Sequence, residues 1–157
     1  MPYSFNFHNN SSGLSTSGWT TSGTQYDSAT DKFCIRYGGW LAGSKTSGYV
    51  VSPKFSFPED VNTTCVVQAQ AYSTSSGAYK PQLRVGRNNS CAVASTYTSH
   101  SMKSNLDTSS GGYTEYDTNL TMNSSYVYVS VHHDNGSLPS VAPYSYLCLF
   151  EFRLIYR

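Results

Sequence analysis

The run TTCVVQAQAY, from Thr63 to Tyr72, constrains this chain more than any other stretch. Cys65, Val67, Ala69 and Ala71 fall on one side; Val66, Gln68, Gln70 and Tyr72 fall on the other. A two-residue period of this kind marks a strand with one buried face and one wet face. The wet face carries amides and a phenol in place of charges. Such groups suit a sugar-binding surface, and they also suit the ordinary exterior of a β-sandwich.

The same period recurs along the chain. Lys32 to Tyr37 aligns Phe33, Ile35 and Tyr37, and Lys80 to Gly86 puts Leu83 and Val85 inward with Gln82 and Arg84 outward. Tyr126 to His133 sets Val127, Val129 and Val131 against Tyr126, Tyr128, Ser130 and His132. Tyr144 to Tyr156 is apolar on both faces, with Tyr146, Cys148, Phe150, Phe152 and Leu154 on one of them, which predicts a central strand carrying a bulge. Shorter strands are expected at Pro2–Phe7, Gly48–Ser52, Cys91–Tyr97 and Tyr113–Thr121. Polar stretches rich in Ser, Gly and Asn separate them, among them Asn9–Gly18, Gln25–Asp31, Ser73–Ala78 and Thr98–Gly112. No window of about 12 residues has a helical period with caps. The expected fold is all-β: an antiparallel jelly-roll β-sandwich of about nine or ten strands, forming one domain over residues 1–157.

Charged residues make up 12% of the chain, about half the usual share, and the net charge is +1. That balance leaves no basic stripe for nucleic acid. No apolar run is long enough to span a bilayer, so membrane insertion is not expected. Pro2 directly follows Met1, which reads as an expression start on a domain excised from or attached to a larger protein. The four cysteines, at 34, 65, 91 and 148, form no CxxC pair, which speaks against zinc. Small buried hydrophobes and one or two disulfides are both open, with three pairings to choose from.

Catalytic constellations are sparse. Most acids stand in turns, where Asp forms the turn. Glu115 and Asp117 share a strand face at a spacing that a carboxylate pair would need, but exposed strand acids are commonly just solvated. No GxSxG elbow is present, so no enzyme activity is expected. His132 and His133 are adjacent on a strand and point to opposite faces, so they do not share a metal ion. Sequons such as Asn62-Thr63-Thr64 and Asn119-Leu120-Thr121 arise readily in a chain rich in Asn, Ser and Thr. A sugar offers an apolar ring face and a polar rim, so it calls for a stacking aromatic beside amide or guanidinium groups. If three strands lie side by side, Gln68, Gln70, Tyr72, Gln82, Arg84, Tyr126, Tyr128 and His132 make such a face. Trp40, after Gly38-Gly39, is a candidate platform at its edge, and Trp19 is expected in the core.

The order of these features resembles a known group. Phe5-Asn6-Phe7 precedes Gly18-Trp19-Thr20, and Tyr49-Val50-Val51-Ser52-Pro53-Lys54-Phe55 leads into the long alternating strand. Tyr126-Val127-Tyr128-Val129 and Leu149-Phe150-Glu151-Phe152-Arg153-Leu154 follow. The chain looks like the jelly-roll modules of the cleaved-adhesin and MAM-like group, relatives of galactose-binding-like domains. The resemblance implies an extracellular or cell-surface, non-catalytic module that engages a glycan or glycoprotein surface. The alternative is a structural or assembly module of a surface appendage or phage particle with no small ligand. Many members of the group carry a structural calcium, with acids near the first strand and in the last. Here Asn6 stands at the first place and Glu151 is the only acid in the last strand, so no cofactor is carried over.

Overall fold

The computed structural model describes residues 2–7, 17–22, 24–27, 32–37, 48–73, 82–91, 98–103, 113–133 and 145–156. Within these, eleven strands form in order: β1 (Tyr3–Asn6), β2 (Thr20–Ser22), β3 (Thr24–Asp27), β4 (Lys32–Tyr37), β5 (Gly48–Val51), β6 (Val61–Ser73), β7 (Leu83–Asn88), β8 (Thr98–Lys103), β9 (Thr114–Met122), β10 (Tyr128–His133) and β11 (Ser145–Tyr156). They build two antiparallel sheets. The first runs β3-β4-β11-β6-β9, with β1 beside β11, and the second runs β2-β5-β10-β7-β8.

The jelly-roll sandwich expected from the alternation is present. Cys65, Val67, Ala69 and Ala71 of β6 face Val129 and Val131 of β10 and Leu83 and Val85 of β7 across one core. Aromatic rings close one end of it. Trp19 is buried, touches Phe5, Phe7 and Phe152, and donates its indole N–H to the Tyr3 hydroxyl at 3.2 Å. Gly18 makes that placement possible: its φ is +82°, and a Cβ there would sit 3.3 Å from the Pro53 ring. Truncating Phe152, which is fully buried, would cost about 3–5 kcal/mol.

Two strands, β3 and β8, run into stretches expected to be loops, and a third, β2, forms between two of them where no strand was expected. Each pairs on one side only and lies at the margin of its sheet. Polar edge strands have no apolar periodicity to show. The expected strand Cys91–Tyr97 is not seen at its first residue: Cys91 lies in a bend, and 92–97 fall outside the described residues.

β11 carries the expected bulge. Leu149 pairs with Ala69 and Glu151 with Gln68, so Phe150 is the extra residue. The bulge reverses the phase of the strand. Leu147 and Leu149 are in the core before it, and Phe152 and Leu154 after it. Cys148 and Phe150 therefore face outward, against the single-face grouping with Phe152 and Leu154. Phe150 meets the Tyr113 ring at 4.9 Å. Cys148 lies opposite Cys34 of β4, and the two form a disulfide. Cys65 stays a buried thiol, and burial pushes its pKa up; Cys91 is an exposed thiol.

Candidate functional site

The sequence-derived binding face divides between two sheets. β6 belongs to the first sheet, whereas β7 and β10 are neighbours in the second. Gln68 and Gln70 therefore lie on the opposite side of the molecule from Arg84, Tyr128 and His132. Sequence periodicity gives the phase of each strand and says nothing about which sheet takes it. The Tyr72 backbone is in β6, but its side chain and all of Trp40 are outside the described residues. Gln82 is half-exposed just before β7. Tyr126 turns back at the end of the sandwich, packs against the core, and lies under the Arg87 guanidinium at 4.1 Å from its ring centroid.

On the outer face of the first sheet, polar groups bond to one another across strands. Gln68 donates to the Glu115 carboxylate at 3.3 Å, and Arg153 pairs with the same carboxylate. Glu151 accepts from Ser4 at 3.0 Å and lies 3.7 Å from the Arg153 guanidinium. Glu115 is thus a member of a surface network, with no sign of a carboxylate poised with Asp117. Gln70 is buried on this face, beside the disulfide at Cys148. Asn6 and Glu151 do face each other in the β1–β11 register. Glu151 is held by a guanidinium and a hydroxyl, so these residues do not fit a calcium site. Among the described residues, no group of three His, Cys, Asp or Glu side chains gathers for a metal.

The outer face of the second sheet is built in rows, because antiparallel register places side chains of equal phase abreast. One row contains Thr20, Val51, Ser130 and Gly86, paired in sequence across β2, β5, β10 and β7. The next row contains Ser22, Tyr49, His132 and Arg84. On the other side, Tyr128 pairs with Asn88. A row of small, buried residues thus lies between two rows of large side chains. Each flanking row is two residues from the buried one along the strand, so the flanking rows stand about 13 Å apart. Tyr49, Arg84 and Tyr128 are half-exposed, while Val51, Ser130 and Gly86 are buried.

The large side chains are held in place. The His132 ring lies 5.7 Å from the Tyr49 ring, and its Nε2 is 2.8 Å from the Ser130 hydroxyl. Burial, followed by the Arg84 charge, pushes the His132 imidazole down to about 4. It is therefore neutral at physiological pH, a hydrogen-bonding ring and not a cation. The Tyr128 phenol is raised above its ordinary value, first by a hydrogen bond with Cys91. Asn88 is 1% exposed, and neither its amide oxygen nor its nitrogen has a hydrogen-bond partner. Buried amides are rarely left so. Tyr49, Val51, Gly86 and Asn88 escaped the sequence reading. The alternation in Tyr49-Val50-Val51 could have exposed Tyr49, since Val50 is in the core.

No protein-family model and no curated protein matches the chain. Solved structures do match in fold. The K1 cleaved adhesin domain of Lys-gingipain from Porphyromonas gingivalis W83 superposes with a TM-score of 0.55 at 16% identity, covering 100% of this chain and 99% of that one. The C-terminal family 6 carbohydrate-binding module of LamC, a laminarinase from Zobellia galactanivorans, gives 0.52 at 8% identity, covering 98% of each chain. The N-terminal cellulose-binding domain of a β-1,4-glucanase from Cellulomonas fimi gives 0.50 at 18% identity, covering 89% of each. At these identities the likeness is one of fold. The chain has the jelly-roll β-sandwich fold of the cleaved-adhesin and carbohydrate-binding modules.

Proposed function

We propose that this chain is a non-catalytic, extracellular carbohydrate-binding or adhesion module that takes a glycan across the outer face of its second sheet. The observation that carries the reading is the register, which sets the half-exposed Tyr49 and Arg84 on one side and the half-exposed Tyr128 on the other, with Val51, Ser130 and Gly86 buried between them. A saccharide chain crossing the strands would meet phenol rings for its apolar faces and the Arg84 guanidinium for its hydroxyls. The shared fold with carbohydrate-binding modules is consistent with this use and does not by itself carry it. The Cys34–Cys148 disulfide suits an oxidising compartment, as an extracellular module requires.

A glycan-array screen, followed by titration of Tyr128→Ala and Arg84→Ala against the best ligand, tests the proposal. Each variant should bind roughly tenfold more weakly or worse, at unchanged melting temperature. Unchanged affinity in both would remove the second sheet as the binding face. An array with no ligand would favour the structural or assembly module instead.

A further inference from the structure

The outer face of the first sheet changes character along its length. Near Glu115 its polar groups are consumed by the network with Gln68 and Arg153. Toward the far end of β6 two depressions open, of about 510 and 420 Å³. They share Asn62 and Thr64, so they form one trough crossing β11, β6 and β9. Ile155 and Tyr156 line one end; Asn119 and Thr121 line the other.

The chemistry of the lining is that of a sugar site. Ile155 is the large hydrophobic side chain left exposed among the described residues, at 40%. The Tyr156 ring is fixed edge-on against Phe57 at 5.0 Å. Tyr156 thus packs toward the core, and Ile155 offers a small apolar surface in an otherwise polar trough. Thr121 donates to the amide oxygen of Asn62 at 3.3 Å, and Thr64 donates to that of Asn119 at 3.2 Å. These reciprocal bonds occupy both oxygens, fix both amides, and leave the two NH₂ groups as donors. Asn62 and Asn119 sit at diagonal cross-strand positions, about 7 Å apart. At the entrance stand the carboxylates of Glu59 and Asp60, the latter already accepting from the Asn123 amide at 2.7 Å. Among the described residues, no lysine or arginine lines either depression. Two carboxylates without a cation repel uronates and sulfated sugars and accept hydroxyls.

We infer that this trough is a second saccharide-binding surface, selective for neutral sugars, on the sheet opposite the Tyr49–Arg84 face. One module then holds two glycan chains on opposite sides. The two faces differ in charge: Arg84 tolerates an anionic sugar, whereas the trough does not. The inference does not depend on the second sheet's binding a glycan, and either face can fail alone.

The test is an NMR titration of the whole chain with neutral hexasaccharides of β-1,4-glucan, β-1,3-glucan, xylan and mannan. A hexagalacturonate serves as the anionic control. At least one neutral sugar should shift the side-chain NH₂ signals of Asn62 and Asn119, and hexagalacturonate should not. Asn62→Ala/Asn119→Ala removes two exposed amides. It should weaken binding at the trough roughly tenfold, while shifts at Val51, Gly86 and Ser130 remain. The proposal is overturned if no neutral sugar moves the two amide signals, if hexagalacturonate moves them equally, or if the double variant binds unchanged at the trough. Shifts confined to Val51, Gly86 and Ser130 would overturn it and leave the second-sheet reading standing. Shifts confined to the trough would do the reverse.

Discussion

The two outer faces of this sandwich are made from similar residue types and use them differently. On the first sheet, Gln68, Glu115, Arg153, Glu151 and Ser4 satisfy one another across strands, and a disulfide ties β4 to β11. On the second, Arg84, Tyr49 and His132 stand as a row beside a buried row of small residues, and Asn88 keeps an amide without a partner. A cross-strand polar pair spends its donors and acceptors on stability, a few tenths of a kcal/mol at a time. On the second sheet, by contrast, the row of large groups leaves Tyr49 and Arg84 half-exposed beside buried small residues. Amide content alone therefore says little about binding: the Gln68 amide donates to Glu115, whereas Asn62 and Asn119 use their oxygens on Thr121 and Thr64.

The largest effect expected from breaking this contrast is covalent. Replacing Cys34 and Cys148 together by alanine frees a closure across 114 residues of sequence. Unfolding free energy should fall by about 4 kcal/mol in denaturant melts, with glycan affinity unchanged. A loss of affinity would mean that the two faces are not independent.

The next effect belongs to the second sheet and depends on pH. His132 has a folded pKa pushed down to about 4, against 6.5 for an unperturbed imidazole. Between those values the unfolded chain binds a proton that the folded chain does not. Stability from this group is fully present above pH 6.5 and is lost as pH falls toward 4, by up to about 3 kcal/mol. Melts of the wild type and His132→Gln across that range should differ in slope. Parallel curves would show that His132 titrates normally and is not buried against Arg84.

Smaller still are the changes on the polar ladder. Gln68→Ala and Glu115→Gln should each cost less than about 1 kcal/mol. Neither should alter glycan affinity. A tenfold loss of binding in either would make the first sheet's ladder a binding face and erase the distinction drawn here.

Much of the fold was legible in sequence because its central strands bury one face. Thr63–Tyr72, Leu83 with Val85, and Val129 with Val131 all met across the core as their alternation required. Edge strands such as Thr20–Ser22 and Thr98–Lys103 were not legible, since nothing in them alternates between apolar and polar. The phase reversal at Phe150 was visible only as apolar residues on both sides of one strand. Alternation gives Arg84, Tyr128 and His132 their outward phase, opposite Leu83, Val85, Val129 and Val131 in the core. Alternation does not separate Gln68 and Gln70 from them, because sheet membership depends on long-range pairing, which puts β6 in the other sheet. The Cys34–Cys148 bond was hidden for the same reason: the residues oppose each other only once β4 pairs with β11.

The central claim is that the second sheet's outer face takes the glycan and the first sheet's ladder does not. Backbone amide shifts on titration with the best array ligand test it most directly. Shifts are expected at Val51, Gly86, Ser130 and Asn88 that saturate with one affinity and vanish in Tyr128→Ala/Arg84→Ala, with Gln68 and Glu115 unmoved. Saturating shifts at Gln68 and Glu115, with Val51, Gly86 and Ser130 silent, would contradict it.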